Sequence, residues 1–158
     1  MANKTVTKNT ESAGGVVLNK NGEVLVVKQR DSSWSLPKGG IKPNEGKVEA
    51  AVREIEEESG ISELELIKYL GKYKRYRNGL NGGDDKSELK TIYMFLFKTK
   101  QNILKPIDPH NPEAKWVSQK NVESLLTHRK DKNFFQKVLD NELEFLKLIK
   151  NTKSDIII

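Results

Sequence analysis

A segment of 23 residues, Gly39–Ile61, constrains this chain more than any other part of its sequence. It opens with a glycine-rich turn, and from Glu45 to Ser59 it reads as one helix. Four glutamates fall within five residues of that helix: Glu54, Glu56, Glu57 and Glu58. Carboxylates at this spacing repel one another unless a cation lies among them. We therefore expect a divalent metal at this helix, bound to a phosphorylated substrate.

The expected helix has two recognisable ends and an apolar face. Asn44 is a candidate N-cap, and Gly60, just past the last turn, is the expected C-terminal stop. Four apolar residues follow the i, i+3, i+4, i+7 spacing of a buried stripe: Val48, Ala51, Val52 and Ile55. This pattern predicts that the helix packs one side against the core and leaves another side for chemistry.

The acidic side of the helix carries the candidate metal ligands. Glu54, Glu57 and Glu58 are three or four residues apart and share one face, whereas Glu56 points elsewhere. Arg53 lies four residues before Glu57 and within its reach. Because Mg²⁺ and Mn²⁺ prefer hard oxygen ligands, the sequence predicts one of these two metals as cofactor.

The same segment resembles the Nudix box, G-x5-E-x7-R-E-U-x-E-E-x-G-U, where U is a bulky aliphatic residue. Its nine constrained positions are filled, with the correct spacing, by Gly39, Glu45, Arg53, Glu54, Ile55, Glu57, Glu58, Gly60 and Ile61. The resemblance implies an α/β fold, the Nudix-type α/β/α sandwich with a mixed β-sheet. It also implies metal-dependent hydrolysis of a pyrophosphate link in a nucleoside diphosphate joined to another group X.

The resemblance also implies roles for the residues of the box. Glu54, Glu57 and Glu58 are expected to bind the metal, and the backbone carbonyl of Gly39 to join them. Arg53 is expected to hold a helix carboxylate in place. Either Glu54 or Glu58 is a candidate for orienting or deprotonating the attacking water, and the sequence leaves this choice open.

Many members of this family recruit one more acidic residue from a loop outside the box. The candidates here are Glu113, Asp108 and Glu88, and the first of them comes shortly before Trp116-Val117, where such an acid is often found. For each of them, a solvated loop carboxylate is the competing interpretation. Glu45 is expected to support the site structurally rather than to bind the metal.

The substrate is predicted from the residues just before the box. Trp34–Gly40 is similar to the corresponding stretch of diadenosine polyphosphate hydrolases, so a dinucleoside polyphosphate is the preferred substrate. Bacterial RNA 5′-pyrophosphohydrolases usually have Gln where this chain has Lys38, which disfavours the 5′ end of RNA as substrate. A nucleoside triphosphate remains a further alternative, as does a Nudix-like module that senses nucleotides without cleaving them.

Basic and aromatic side chains are the candidates for holding the substrate. The substrate-binding set is Lys38, Arg30, Trp34, Tyr76 and Lys90. Lys38 is the expected phosphate contact. Trp34 either stacks on a base or packs under its loop. Tyr76 either contacts substrate or is an ordinary sheet residue. Since only alternate residues of a strand face the same way, some of these candidates are bystanders.

Length and composition set wider bounds. A chain of 158 residues is predicted to form a single domain over 1–158, with a flexible segment at 1–10 and C-terminal helices over about 119–150. The absence of cysteine excludes disulfides and thiolate metal sites. The net charge of +6 favours anionic partners. With no apparent signal peptide or membrane span, we expect a cytoplasmic protein with no membrane partner, as a monomer or a homodimer.

Hydrophobic patterning outlines the other elements. Ser12–Leu18 and Gly22–Gln29 are predicted as a hairpin, and Glu88–Lys98 as a buried strand. The remaining elements are strands within Leu64–Arg77 and at Ala114–Val117, loops at Asn78–Ser87 and Pro106–Pro112, and helices at Gln119–Thr127 and Asp131–Lys150.

Overall fold

The structure is a computed structural model that describes residues 6–29, 31–80, 83–108 and 113–155, with side chains up to residue 142. Seven strands and three helices occur in this part of the chain. In chain order they are β1 (Lys8–Leu18), β2 (Val24–Lys28), β3 (Trp34–Ser35), β4 (Lys38–Gly40), α1 (Lys47–Ser59), β5 (Glu65–Asn78), β6 (Asp84–Lys98), β7 (Glu113–Val117), α2 (Gln119–Leu125) and α3 (Arg129–Asp155).

The strands form one mixed sheet in the order β3-β2-β1-β6-β5, with β7 on β2 and β4 on β1. β1 runs parallel to β6 along its whole length, and β5 is antiparallel to β6. On its other edge β1 changes partner, because it pairs with β2 at Leu18 and with β4 at Ser12–Gly14. This change of partner brings β4, the start of the glycine-rich turn, into the sheet.

Strict alternation along the strands builds a core on each face of the sheet. In β6, Met94 and Leu96 pack on one face with residues of α2 and α3, whereas Phe95 and Phe97 pack on the other face with residues of α1. This is the period-two pattern of a strand buried on both sides. The helical layers on both faces confirm the predicted α/β/α sandwich with a mixed sheet.

Helix α1 is two residues shorter than predicted at its N-terminus. Its N-cap is Gly46, so the prediction that Asn44 caps the helix is wrong. Asn44 instead adopts a left-handed backbone conformation with φ of 64° in the turn before the helix, a conformation that asparagine tolerates well. The predicted stop at Gly60 is confirmed, since this residue ends the helix with φ of 81°.

The buried stripe of α1 is also displaced from the prediction. Ala51 and Ile55 are fully buried and Val52 packs at the edge of the core, but Val48 is 36% exposed and Ala50 takes a core position instead. Because the helix begins only at Lys47, Val48 lies in its first turn, at the rim of the sheet.

Other boundaries differ modestly. Residues 8–10, which were expected to be flexible, pair with residues 88–90 of β6. The loop predicted at Asn78–Ser87 is shorter than expected, because β6 already begins at Asp84. The last helix begins at Arg129, two residues earlier than predicted, and kinks at Glu142. Only part of the predicted loop at Pro106–Pro112 lies among the described residues. Within the described residues, no helix is long and apolar enough to span a membrane.

Candidate active site

Strand β4 brings the glycine-rich turn directly against α1. A Cβ atom at Gly39 would collide with the carboxylate of Glu54, whereas a Cβ atom at Gly40 would meet nothing within 4 Å. A side chain at position 39 would therefore displace the Glu54 carboxylate, because the backbone and this carboxylate approach each other there. The predicted pairing of the Gly39 backbone with the acidic face of the helix is consistent with this geometry.

Arg53 organises the carboxylates around it. Its Nε and Nη2 donate to the two carboxylate oxygens of Glu45 at 2.7 and 2.9 Å, and Nη1 donates to Glu54 at 2.8 Å. Longer contacts of 3.3 and 3.4 Å join Nη1 to Glu57, and Nη2 also donates to the carbonyl of Gly40 at 2.9 Å. One guanidinium thus fixes three carboxylates and the backbone of β4.

This network changes the acidity of its members. The hydrogen bonds from Arg53 lower the pKa of Glu45 to about 2, so this carboxylate is held as a permanent anion beside the guanidinium. The same bonds raise the pKa of Arg53. Glu45 therefore supports the site through Arg53, as expected from the sequence.

Glu54 and Glu58 form a close carboxylate pair. Burial raises the pKa of both groups, and the neighbouring negative charge raises it further for Glu58, which is 2% exposed. The two side chains are near enough to share a hydrogen bond. Gln29 Nε2 also donates to Glu58 at 3.2 Å. A divalent cation beside this pair would favour its ionised form.

The donor set fits a hard divalent metal in its chemistry. All its side-chain donors are carboxylate oxygens. Two cationic side chains act on the pair: Arg53 donates to Glu54, and Lys38 is a charged neighbour of Glu58. Among the described residues, no three acidic or histidine side chains converge closely enough to hold a metal as they stand.

A second ionic network lies on the opposite face of β4. Lys38 is 7% exposed, and its Nζ lies 3.8 Å from the carboxylate of Asp131 on α3. Arg75 of β5 also contacts this carboxylate at 3.5 Å, and the hydroxyl of Tyr73 donates to it at 2.5 Å. Burial lowers the pKa of Lys38 to about 8, although Asp131 acts in the opposite direction. Lys38 is therefore a buried group with a partner, not a free surface cation.

The other predicted substrate residues are scattered. Lys90 lies across from Arg75 in the sheet, and its pKa is lowered by burial and by that neighbouring charge. Trp34 packs against the core, with the ammonium group of Lys115 at 4.4 Å from its ring centre. Tyr76 is half-buried beside Leu89. Arg30 lies outside the described residues.

The candidate acids outside the box have different surroundings. Glu113 forms an ion pair with Lys28 at 3.4 Å. Lys28 directly precedes Gln29, which contacts Glu58. Glu113 therefore lies at the same end of the sheet as the carboxylate pair. The backbone N–H of Asp108 donates to the carbonyl of Glu57. Glu88 accepts a hydrogen bond from Thr10. Glu113 remains the predicted additional ligand.

Sequence reasoning missed two residues that the fold brings to these networks. Asp131 was recognised only as the start of a helix, and Gln29 only as the end of a strand. No local pattern marks either one, because their partners lie far away in the chain: Asp131 contacts residues 58 and 93 positions earlier.

Comparison with known proteins identifies the family. The family model described as NUDIX domain matches residues 8–138. The chain belongs to the Nudix family. An RNA pyrophosphohydrolase of Pelagibacter ubique is 36% identical over 124 residues, which cover 72% of this chain and 78% of that protein. An RNA pyrophosphohydrolase of Bartonella henselae is 28% identical over 162 residues, which cover 89% and 93% of the two chains.

The fold has solved counterparts as well. A crystal structure of a C. elegans Ap4A hydrolase superposes with a TM-score of 0.69 at 20% identity, covering 86% of this chain and 99% of that one. This Nudix protein is an enzyme, a hydrolase acting on pyrophosphate bonds, as the sequence predicted. The non-catalytic alternative is therefore set aside.

Proposed function

We propose that this Nudix enzyme hydrolyses the 5′-triphosphate end of RNA to a 5′-monophosphate, with Mg²⁺ or Mn²⁺ as cofactor. The observation that carries the reaction class is the close approach of Gly39 to a helix carboxylate that Arg53 holds in place. Support for RNA comes from the two RNA pyrophosphohydrolases that align with this chain over most of their length. This choice departs from the preference for dinucleoside polyphosphates that the sequence suggested.

In this proposal each residue of the box has a defined task. Glu54, Glu57 and Glu58 hold the metal together with the carbonyl of Gly39. When bound, the metal neutralises charge on the phosphate oxygens and lowers the pKa of the attacking water. Arg53 keeps Glu54 and Glu57 in position, and Gln29 orients Glu58.

The proton of the attacking water needs an acceptor near the metal. Glu54 and Glu58 are both candidates, because they form a close carboxylate pair on the acidic face of α1. Glu58 is the more buried of the two and is held by a neutral amide. We therefore favour Glu58 as the proton acceptor and Glu54 as the residue that positions the water.

A dinucleoside polyphosphate is the second candidate substrate, and Lys38 is the observation in its favour. Lys38 belongs to the stretch Trp34–Gly40 that resembles diadenosine polyphosphate hydrolases, whereas the RNA enzymes usually have Gln at this position. Yet Lys38 is buried beside Asp131, so it would have to leave this partner to meet a phosphate chain. For this reason we rank the dinucleotide second.

The test is a substrate panel with Mg²⁺ and with Mn²⁺, read by chromatography. It contains a 5′-triphosphorylated RNA, diadenosine tetraphosphate, and ordinary and 8-oxo nucleoside triphosphates. We expect the RNA to be converted to its 5′-monophosphate with the highest kcat/KM, and chelation to stop the reaction. ATP released preferentially from the dinucleotide would overturn the RNA assignment and restore the second candidate.

A pair of variants on the same helix tests the metal ligands. Glu57→Gln is expected to lower turnover by roughly 100-fold or more, because it removes a carboxylate that is 39% exposed and open to the metal. Glu56→Gln is the matched control, with the same change of charge on a neighbouring position outside the Arg53 network. Equal activity of the two variants would refute the ligand assignment.

A further inference from the structure

Helix α1 leaves part of its own face of the sheet open. It packs on β1, β4 and the buried half of β6, whereas the same face of β5 and the rest of β6 carry exposed or half-exposed side chains. Together with the first residue of α1, three tyrosines and three lysines form this surface, here named the β5–β6 platform: Tyr69, Tyr76, Tyr93, Lys47, Lys72 and Lys74. We propose that the β5–β6 platform binds the single-stranded RNA that follows the 5′ end, an inference that rests on the proposed function and extends it beyond the triphosphate.

Strand pairing places the members of the platform on the α1 side of the sheet. Tyr93 of β6 packs at the edge of the core beneath α1, and its partner across β5 is Lys72. Because side chains alternate along a strand, Lys74 and Tyr76 point to the same face as Lys72. Positive charge and aromatic rings therefore alternate on one surface.

The rings of the platform offer a surface on which bases can stack. Tyr69 is 49% exposed, and its ring rests against that of Phe95 with centres 5.2 Å apart. The core thus supports one side of this ring, and the remainder faces solvent. Aromatic rings on a sheet surface stack with the bases of single strands, which a paired helix would keep inside. This feature favours single-stranded RNA over a duplex.

The lysines of the platform are available to phosphates. Lys47, Lys72 and Lys74 are exposed, and none of them forms an ion pair within the part of the chain whose side chains are described. The ammonium groups of Lys47 and Lys72 instead lie 4.1 and 5.8 Å from the centre of the Tyr93 ring. Glu11 is the acidic neighbour of this ring and bonds to its hydroxyl. Positive charge therefore exceeds negative charge here, and the surface attracts a polyanion.

The length of the platform favours several nucleotides over one. Tyr69 and Tyr76 are seven residues apart along β5, which is roughly 20 Å. A free nucleotide or a dinucleoside polyphosphate holds its phosphates at the metal site and cannot also cover this length. A second copy of this chain in a symmetric contact would bring the same lysines against each other. RNA supplies bases for the rings and phosphates for the lysines in one ligand.

The platform lies on the same face of the sheet as the metal carboxylates. Gly39 lies against Glu54 and pairs with Ala13. Ala13 in turn pairs with Tyr93, so two strand spacings, roughly 10 Å, separate Tyr93 from Gly39. Above this row, Lys47 and Glu54 are two helical turns apart and share one side of α1. An RNA with its triphosphate at Glu54 can therefore reach the platform along this side of the helix.

The experiment compares the platform with the opposite face of the sheet. One variant carries Lys72→Gln and Lys74→Gln. Its matched control carries Lys130→Gln and Lys137→Gln, at two exposed lysines of α3. A second pair of variants tests stacking, because Tyr69→Leu removes the ring and Tyr69→Phe keeps it.

Two quantities are measured for each variant. The first is the affinity for a labelled 5′-hydroxyl dodecanucleotide of RNA, which has no triphosphate for the metal site, at several salt concentrations. The second is kcat/KM on a 5′-triphosphorylated dinucleotide and on a 5′-triphosphorylated dodecanucleotide.

We expect the variant of Lys72 and Lys74 to lose about fivefold or more in affinity, and the slope of log K against log salt to fall by up to roughly 0.7 for each phosphate no longer neutralised. Tyr69→Leu should also lose about fivefold or more, whereas Tyr69→Phe should bind like the wild type. In the weakened variants kcat/KM should fall for the dodecanucleotide but not for the dinucleotide. Equal losses in the α3 control, or equal affinity of Tyr69→Leu and Tyr69→Phe, would overturn the platform assignment.

Binding and turnover fail separately. If the wild type hydrolyses no RNA but binds the dodecanucleotide through Lys72, Lys74 and Tyr69, the proposed function is wrong and the platform stands. If the RNA is hydrolysed and all variants bind the dodecanucleotide equally, the function stands and the platform assignment is wrong. Displacement of the RNA by polyglutamate of equal charge would also overturn the platform, since it would indicate an acidic polypeptide as the partner.

Discussion

Two ionic networks with opposite excess charge lie on either side of β4. Around Arg53, one guanidinium faces the carboxylates of Glu45, Glu54 and Glu57. Around Asp131, one carboxylate faces two cations, Lys38 and Arg75. The first network is partly open to solvent, whereas the carboxylate at the centre of the second is 1% exposed.

The difference in burial indicates that the Arg53 network serves catalysis and the Asp131 network serves the fold. Excess negative charge that remains accessible can be neutralised by a metal from solution, so the Arg53 network is suited to catalysis. A buried carboxylate with its cations instead joins α3 to β4 and β5, because none of its members can be separated without leaving an unpaired buried charge. Lys38 belongs to this second network, which makes it a poor candidate for a mobile phosphate clamp.

The largest effect that separates the two networks is expected for Asp131→Asn. This change leaves Lys38 and Arg75 buried without a counter-charge, and it should lower the free energy of unfolding by roughly 3–5 kcal/mol. The control is Asp140→Asn, on the exposed side of the same helix. This change should alter the free energy of unfolding by less than about 0.5 kcal/mol. Denaturant unfolding at neutral pH measures both.

The effect of Asp131→Asn also depends on pH, with a definite sign. Burial opposes the charge of Asp131, but Lys38 and Arg75 outweigh it and lower the pKa of this carboxyl. Its contribution to stability is therefore present above the ordinary carboxyl pKa and is lost as the pH falls through the lowered value. The difference in the free energy of unfolding between the wild type and Asp131→Asn should therefore become smaller in acid. A constant gap would contradict an ionic role for Asp131.

A smaller effect is expected from a single methyl group at Gly39. Gly39→Ala pushes the Glu54 carboxylate away from β4, which should lower kcat by roughly tenfold to 100-fold. Stability should change little, because the displaced group is the end of a flexible side chain. Gly40→Ala adds the same methyl group to open space and should retain activity. Similar kinetics for both variants would show that the contact with Glu54 has no part in catalysis.

The sequence was sufficient for those parts of the site that lie within one short segment. Arg53, Glu54, Glu57 and Glu58 are neighbours on a helix, so their spacing alone predicts a shared face. The unbroken apolar run of β6 from Ile92 to Phe97 likewise predicts a strand buried on both faces. The predictions that Asn44 caps the helix and that Val48 is buried were wrong. Both depend on the residue at which the helix starts, and the preceding turn determines that residue.

The Asp131 network could not be predicted from the sequence, for a different reason. It joins β4, β5 and α3, so it exists only once the sheet topology is known. Lys38 could be recognised as a charged residue before the box, but its burial and its partner could not. A charged residue read from sequence alone is a candidate for ligand binding until the fold shows whether another part of the chain already neutralises it.

The most direct test of this account is a titration of substrate-free protein with Mn²⁺, followed by electron paramagnetic resonance. We expect the wild type and Glu56→Gln to bind Mn²⁺ equally, and Glu57→Gln to bind it at least about tenfold more weakly. Equal Mn²⁺ affinity for Glu57→Gln and the wild type would contradict the claim that the acidic network of α1 is the metal site.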